Sequence, residues 1–175
     1  LQLLRNVLLG APPKGTALKP RKIGLVRTPF WSELDSESQL TIEAVGRDLA
    51  ISGIELIEVD VDGQAGVNLV DAHQTLMAFE VARSRAAEYE HHREKLSDQF
   101  TQLVESGRQI SYQAYEEALK QRDSANKRLH TEFADCDLFL TASAPGEAPK
   151  GLSSTGDPKF SRAWNLIGGP SVTLP

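Results

Sequence analysis

Residues 137–175 read DLFLTASAPGEAPKGLSSTGDPKFSRAWNLIGGPSVTLP, and the fold turns on how this stretch is divided. Leu138-Phe139-Leu140-Thr141-Ala142 is an apolar run too short for a helix, bounded by Asp137 before it and Pro145-Gly146 after it, which predicts a buried strand. A long loop follows, carrying Pro145, Gly146, Pro149, Gly151, Gly156 and Pro158. It has no apolar period, so fixed proline φ angles and permissive glycines must set its path. Apolar character returns at Phe160, Trp164, Leu166 and Ile167, the chain turns through Gly168-Gly169-Pro170, and Ser171–Leu174 is strand-like. A strand, a loop longer than a connection needs, a short helix and a second strand make one wall of a ligand site.

Working outward, Ile23-Gly24-Leu25-Val26 predicts a central strand over 23–28. Asp35 or Ser36 caps a helix whose apolar residues Leu40, Ala44, Val45, Leu49 and Ile51 recur at helical spacing, with Gly53 as its stop. Ile57, Val59 and Val61 alternate with Glu58 and Asp60, a half-buried strand over 55–61. Strand, helix and strand predict a parallel βαβ unit. From Val67 to Leu96 the pattern is helical, with Leu69, Leu76, Phe79, Ala82 and Ala86 facing inward and the polar end, Glu88–Lys95, in solvent. A short helix over 96–106 stops at Gly107. Ser111 caps a longer one to about Phe133, with Tyr112, Tyr115, Leu119, Leu129 and Phe133 as its stripe and 121–127 exposed. Residues 1–9 read as a helix ending at Gly10, followed by an exposed Gly/Pro/Lys-rich linker. The expected class is α/β: a mixed, largely parallel sheet with helices packed on it, one unit over 1–175 with a helical insertion at 67–134.

Composition sets the outer bounds. The chain has 175 residues, 25% charged and 40% hydrophobic, with a net charge of −5. At this size a domain hides roughly two-thirds of its unfolded surface. The acidic balance, without any Lys/Arg cluster, argues against a nucleic-acid partner. Cys136 is the only cysteine, which rules out an intrachain disulfide or a thiolate metal cluster. No stretch is long and apolar enough to span a bilayer and no signal peptide is visible, so the expectation is a cytoplasmic protein with no membrane partner. Leu1–Gly10 begins inside a helical pattern without a cap and the last residues stop in strand-like sequence, so both ends read as cuts in a longer protein.

The ordered set D-L-F-L-T-x-S-A-P-x-x-A-P over 137–149, S-T-G-D-P-x-F over 154–160 and W-N-L-I-G-x-P-S-V-T-L-P over 164–175 resembles the C-terminal part of the amidase-signature family. The resemblance extends back through 22–26, the helix to Gly53 and the helical middle. It implies an α/β enzyme fold that hydrolyses or transfers amide nitrogen through a seryl acyl-enzyme, without metal or organic cofactor. The family's Ser-cis-Ser-Lys triad sits in a Gly-rich Ser-Ser segment and an earlier lysine, and neither segment occurs here. The chain therefore reads as a substrate-pocket-forming piece of an amidase, inactive alone and prone to self-association through uncovered apolar surface. The alternatives are a non-catalytic or regulatory relative that binds a small molecule, and an unrelated α/β binding domain.

By the same resemblance Thr155, Gly156, Asp157, Phe160, Trp164, Asn165 and Gly168 line the pocket for a small-molecule amide. Family members that use glutamine grip it with an arginine and an acid. Leu103 and Pro158 stand nearest those positions, which favours an amide with a less polar acyl group, although Asp157, one position from Pro158, would supply the acid if the loop shifts. The other candidates have plainer readings. Ser153-Ser154 lacks flanking glycines to bring backbone N–H donors to an oxyanion, and Lys150 and Lys159 read as solvated loop lysines. His91 and His92 point about 100° apart on a helix, and Glu88 with His92 supplies too few ligands for an ion. Cys136 has no neighbouring base.

Overall fold

The computed structural model describes residues 10, 19–61 and 68–173. Three strands, β1 (Lys22–Val26), β2 (Glu55–Val59) and β3 (Leu138–Thr141), form an all-parallel sheet in the order β2-β1-β3. Ile23 lies opposite Leu56 and Leu138, and Val26 opposite Val59 and Thr141. β1 is the middle strand, and Ile23, Leu25 and Val26 are buried as expected of a strand covered on both faces. Gly24 is glycine for want of space: a Cβ there would sit 2.6 Å from Val59 Cγ2 and 2.7 Å from Phe139 Cδ1.

Six α-helices occur among the described residues: α1 (Ser36–Ile51), α2 (Leu69–Ser84), α3 (Ala86–His91), α4 (Asp98–Gln109), α5 (Tyr112–Glu132) and α6 (Lys159–Ile167). The local signals act as read. Asp35 caps α1 by accepting from Ser38 N at 2.6 Å, and Gly53 ends it with φ +82°. The Ser111 hydroxyl accepts from Ala114 N at 3.1 Å at the start of α5. The predicted helix over 1–9 lies outside the described residues, although Gly10 has φ +60°. Ser171–Thr173 join no strand, and Leu174 lies outside the described residues, so the predicted fourth strand is not formed over the part that is seen.

The chain divides into two compact units. The first holds the sheet and α1, from residues up to Asp60, Phe133–Phe160 and Gly168 onward. The second is helical and comprises Val61–Glu132 and Ser161–Ile167, so the division falls inside α6.

Three expectations in the second unit are corrected. The helix predicted over 67–96 breaks at Arg85 and again at His92, which leave helical φ/ψ. The break turns Tyr89 inward: it is buried with Ala82 and Val104, and its hydroxyl donates to Glu105 at 2.8 Å, so the polar end is not wholly in solvent. Gly107 does not stop α4 but lies within it, buried, where a Cβ would come 1.9 Å from Ala78 O. Close approach of α4 to the α2 backbone excludes any side chain there. The inner face of α5 is Ala118 and Ala125, one heptad apart, while Tyr112 is exposed, so 121–127 contributes to the core through its one small apolar residue.

Candidate functional site

Ligand crevices in α/β sheets open at the carboxyl ends of strands. In the first unit the loops that leave those ends are 27–35 after β1 and 142–158 after β3. They are fastened together. Asp35 N donates to Pro145 O at 2.8 Å, and a Cβ on Gly146 would lie 2.0 Å from Asp35 Oδ2. The Ser38 N–H holds the Asp35 carboxyl below its usual value. Beneath the loops Leu34, Ala142 and Phe160 form a buried cluster, with Phe30 edge-on to Phe160 at 6.1 Å. Lys159 is not a solvated loop lysine. It pairs with Glu33, stands 3.6 Å from Asp157 Oδ2, and lies 5.4 Å over the Phe30 ring. The Glu33 hydrogen bond pushes its ammonium further up, which unsuits it as a base near neutral pH.

The residues singled out in the sequence take distinct places. Thr155 is exposed. Gly156 has φ +94° and donates its N–H to Ser154 Oγ at 3.1 Å, while Asp157 Oδ1 accepts from Lys159 N at 3.0 Å where α6 begins. Phe160 is 1% exposed and belongs to the core cluster. Gly168 ends α6 with φ +77° and has nothing within 4 Å of where a Cβ would stand. Trp164 is half-buried and Asn165 exposed; both lie in the second unit, whereas the other five lie in the first.

The second unit contains two cavities, of about 380 and 400 Å³, where α6 lies against α2. Arg162 lines the first together with Gln74 and Thr75 of α2 and Leu103 and Ser106 of α4. Asn165 lines the second with His73, Glu80 and Arg122. Arg162 Nε and His73 Nδ1 are both buried with no hydrogen-bond partner among the described residues. Burial, and secondarily the Arg162 charge, push the His73 imidazole below 6.5. Sequence reading passed over both residues, because an arginine in a nine-residue helix and a histidine on a helix carry no motif. Only packing of helices distant in sequence reveals them.

The remaining candidates have structural roles. Ser153 and Ser154 are exposed, and Ser154 serves the Gly156 turn. Burial raises the Cys136 thiol above its usual value, away from thiolate chemistry. His91 and His92 are exposed at the end of α3, and among the described residues no three His, Cys, Asp or Glu side chains gather where an ion could be held. No helix among them is long and apolar enough to cross a membrane.

An amidase superposes on this chain with a TM-score of 0.79 at 18% identity, over 95% of this chain and 41% of that one. A bacterial aryl acylamidase belonging to the amidase signature enzymes family does so with a TM-score of 0.59 at 19% identity, over 85% of this chain and 34% of that one. At these identities the likeness defines the fold: an α/β architecture whose structural neighbours are amidase-signature enzymes. The chain spans about two-fifths or less of their length. No family model and no curated protein sequence matches it.

Proposed function

We propose that this chain is the substrate-pocket-forming part of an amidase that hydrolyses carboxylic amides through a seryl acyl-enzyme, with the nucleophile and its lysine supplied by sequence outside these residues. The observation that carries the reading is the superposition on an amidase over 95% of this chain and 41% of that enzyme. The chemistry of the chain's own groups supports it. Acyl transfer needs a nucleophile within reach of a base and donors aimed at the oxyanion. Ser154 is occupied with the Gly156 turn, Lys159 is ion-paired and held protonated, and the Cys136 thiol is pushed up. The contribution left to this part is shape, which the first unit supplies with a fastened loop pair at its strand ends.

The isolated chain is expected to turn over neither aryl nor aliphatic amides. Covalent extension with a segment carrying a lysine and a Gly-flanked Ser-Ser pair is expected to restore turnover. Hydrolysis by the isolated chain that Ser153→Ala or Ser154→Ala abolishes would overturn the proposal.

The same reading includes self-association of the isolated chain. Leu40, Ile51 and Leu138 are 62, 84 and 54% exposed, and neither outer strand has a further partner among the described residues. Open edges and apolar surface favour pairing between copies. Sedimentation that stays monomeric as concentration rises would remove this part of the reading.

A further inference from the structure

We propose that the cavity between α2 and α4, bordered by Arg162 of α6, binds a small carboxylate bearing an aliphatic or aryl group. This site lies wholly within the second unit and does not depend on the amidase reading.

Arg162 carries the inference. Its guanidinium makes no hydrogen bond or ion pair among the described residues, and its Nε is buried. Buried donors in folded proteins are nearly always satisfied, and an exception marks a place where something else completes them. The other arginines of the second unit all have partners: Arg85, Arg93, Arg108, Arg122 and Arg128 each pair with an acidic side chain, and Arg83 donates to Phe79 O at 2.9 Å. None of the cavity's lining residues is acidic, so no side chain there competes for the cation.

The lining also selects among anions. Gln74 and Thr75 stand on the same wall and make no side-chain hydrogen bond among the described residues, so both have donors to offer. Ser106 has already committed its hydroxyl proton to Leu103 O at 2.9 Å. A planar guanidinium matches the two oxygens of a carboxylate in a paired arrangement. Met77, Leu103 and Ile110 supply an apolar remainder, which suits an organic acid better than an inorganic ion. At about 380 Å³ the space is of the size that takes a small organic molecule.

The probe is benzoate, titrated into the full chain while backbone amide shifts are followed, with benzyl alcohol as its neutral counterpart. Benzoate is expected to move the amides of 74–78, 103–107 and 161–163 saturably, with benzyl alcohol weaker by about tenfold or more, as befits loss of a charge-assisted pair. Arg162→Gln should weaken benzoate to the level of the alcohol, and Arg162→Lys should retain part of the difference. Absence of benzoate binding, equal binding of acid and alcohol, or unaltered benzoate affinity in folded Arg162→Gln would each overturn the proposal. The acid–alcohol comparison needs no variant, so it stands even if the substitution unfolds the helix.

Discussion

The two units are held together by different means. In the first, polar bonds between distant stretches fasten the ends of strands and loops. Asp137 accepts from Arg21 N and Lys22 N at 2.7 and 3.1 Å, Lys22 reaches Asp135 at 2.6 Å, and Lys159 pairs with Glu33. In the second, helices meet through small residues and an aromatic stack: Gly107 against Ala78, Ala118 and Ala125 on α5, and Phe79 on Tyr115 at 4.1 Å. Both units carry ion pairs, but the buried ionisable nitrogens without a hydrogen-bond partner among the described residues, Arg162 Nε and His73 Nδ1, fall in the second. A sheet edge has to satisfy backbone and charge at every strand end, whereas a helix bundle satisfies its backbone internally and is free to leave a side chain addressed to a ligand.

The largest expected effects test that contrast at its two centres. Phe160→Ala removes the ring on which Leu34, Ala142 and Phe30 close, and should cost about 3–5 kcal/mol. Gly107→Ala drives a methyl into the Ala78 carbonyl and should cost about 3 kcal/mol, because backbone cannot step aside as a side chain can. Gly168→Ala, where φ is positive but space is open, should cost only about 1–2 kcal/mol. Denaturant melts of the three variants check the order. Equal losses at Gly107 and Gly168 would show that close helix packing is not what holds the second unit.

Two of these residues, Gly107 and Phe160, show what could be read from sequence. The three strands, the Asp35 and Ser111 caps and the Gly53 stop are decided by residues within a few positions of one another and were legible as elements, although β3, expected to be buried, is half-buried with Leu138 54% exposed. Gly107 was misread as a helix stop because its reason is Ala78, a residue far away in the chain. The break at Arg85 and the inward turn of Tyr89 were illegible for a like reason, since a polar helix end looks solvated until its one aromatic finds Val104. Phe160 was expected on the pocket wall by resemblance, and its burial against Leu34 and Ala142 could not be read from its neighbours in sequence. Of the cavity beside Arg162 only Leu103 had been singled out, and that by resemblance, because the lining comes from three helices and no two of those stretches share a motif.

A smaller effect is expected where the first unit's loops meet. Gly146→Ala should collide with the Asp35 carboxylate and detach it from Ser38 N, while Asp35→Asn keeps a capping oxygen but not the charge. The melting temperature should fall more for Gly146→Ala than for Asp35→Asn, and amide exchange should quicken in the first turn of α1 in both. Loss confined to the 143–150 loop, with α1 untouched, would mean that the two loops are neighbours without being fastened.

The smallest effect is a difference in acid response. All four histidines of the sequence fall in the second unit, and His73 is the one pushed below 6.5 by burial and then by Arg162, in a cavity that Glu80 and Arg122 also line. A histidine whose folded value is depressed contributes stability that is present above pH 6.5 and lost as pH falls through the folded value. In the first unit the depressed groups are Asp35, Asp135 and Asp137, held down by Ser38 N–H, by Lys22 and by the Arg21 N–H. Their contribution is present above 3.8 and is lost only as pH drops below it. Acidification from neutrality to just above the carboxylate range should therefore loosen α2 and α4 before β1 and β2. Amide exchange corrected for intrinsic rates, read helix by helix and strand by strand, would report it. His73→Gln should make the second unit's protection flat across that window. Loss of β1 protection in the same window, or an unchanged profile in His73→Gln, would show that the imidazole is not the group that separates the two units in acid.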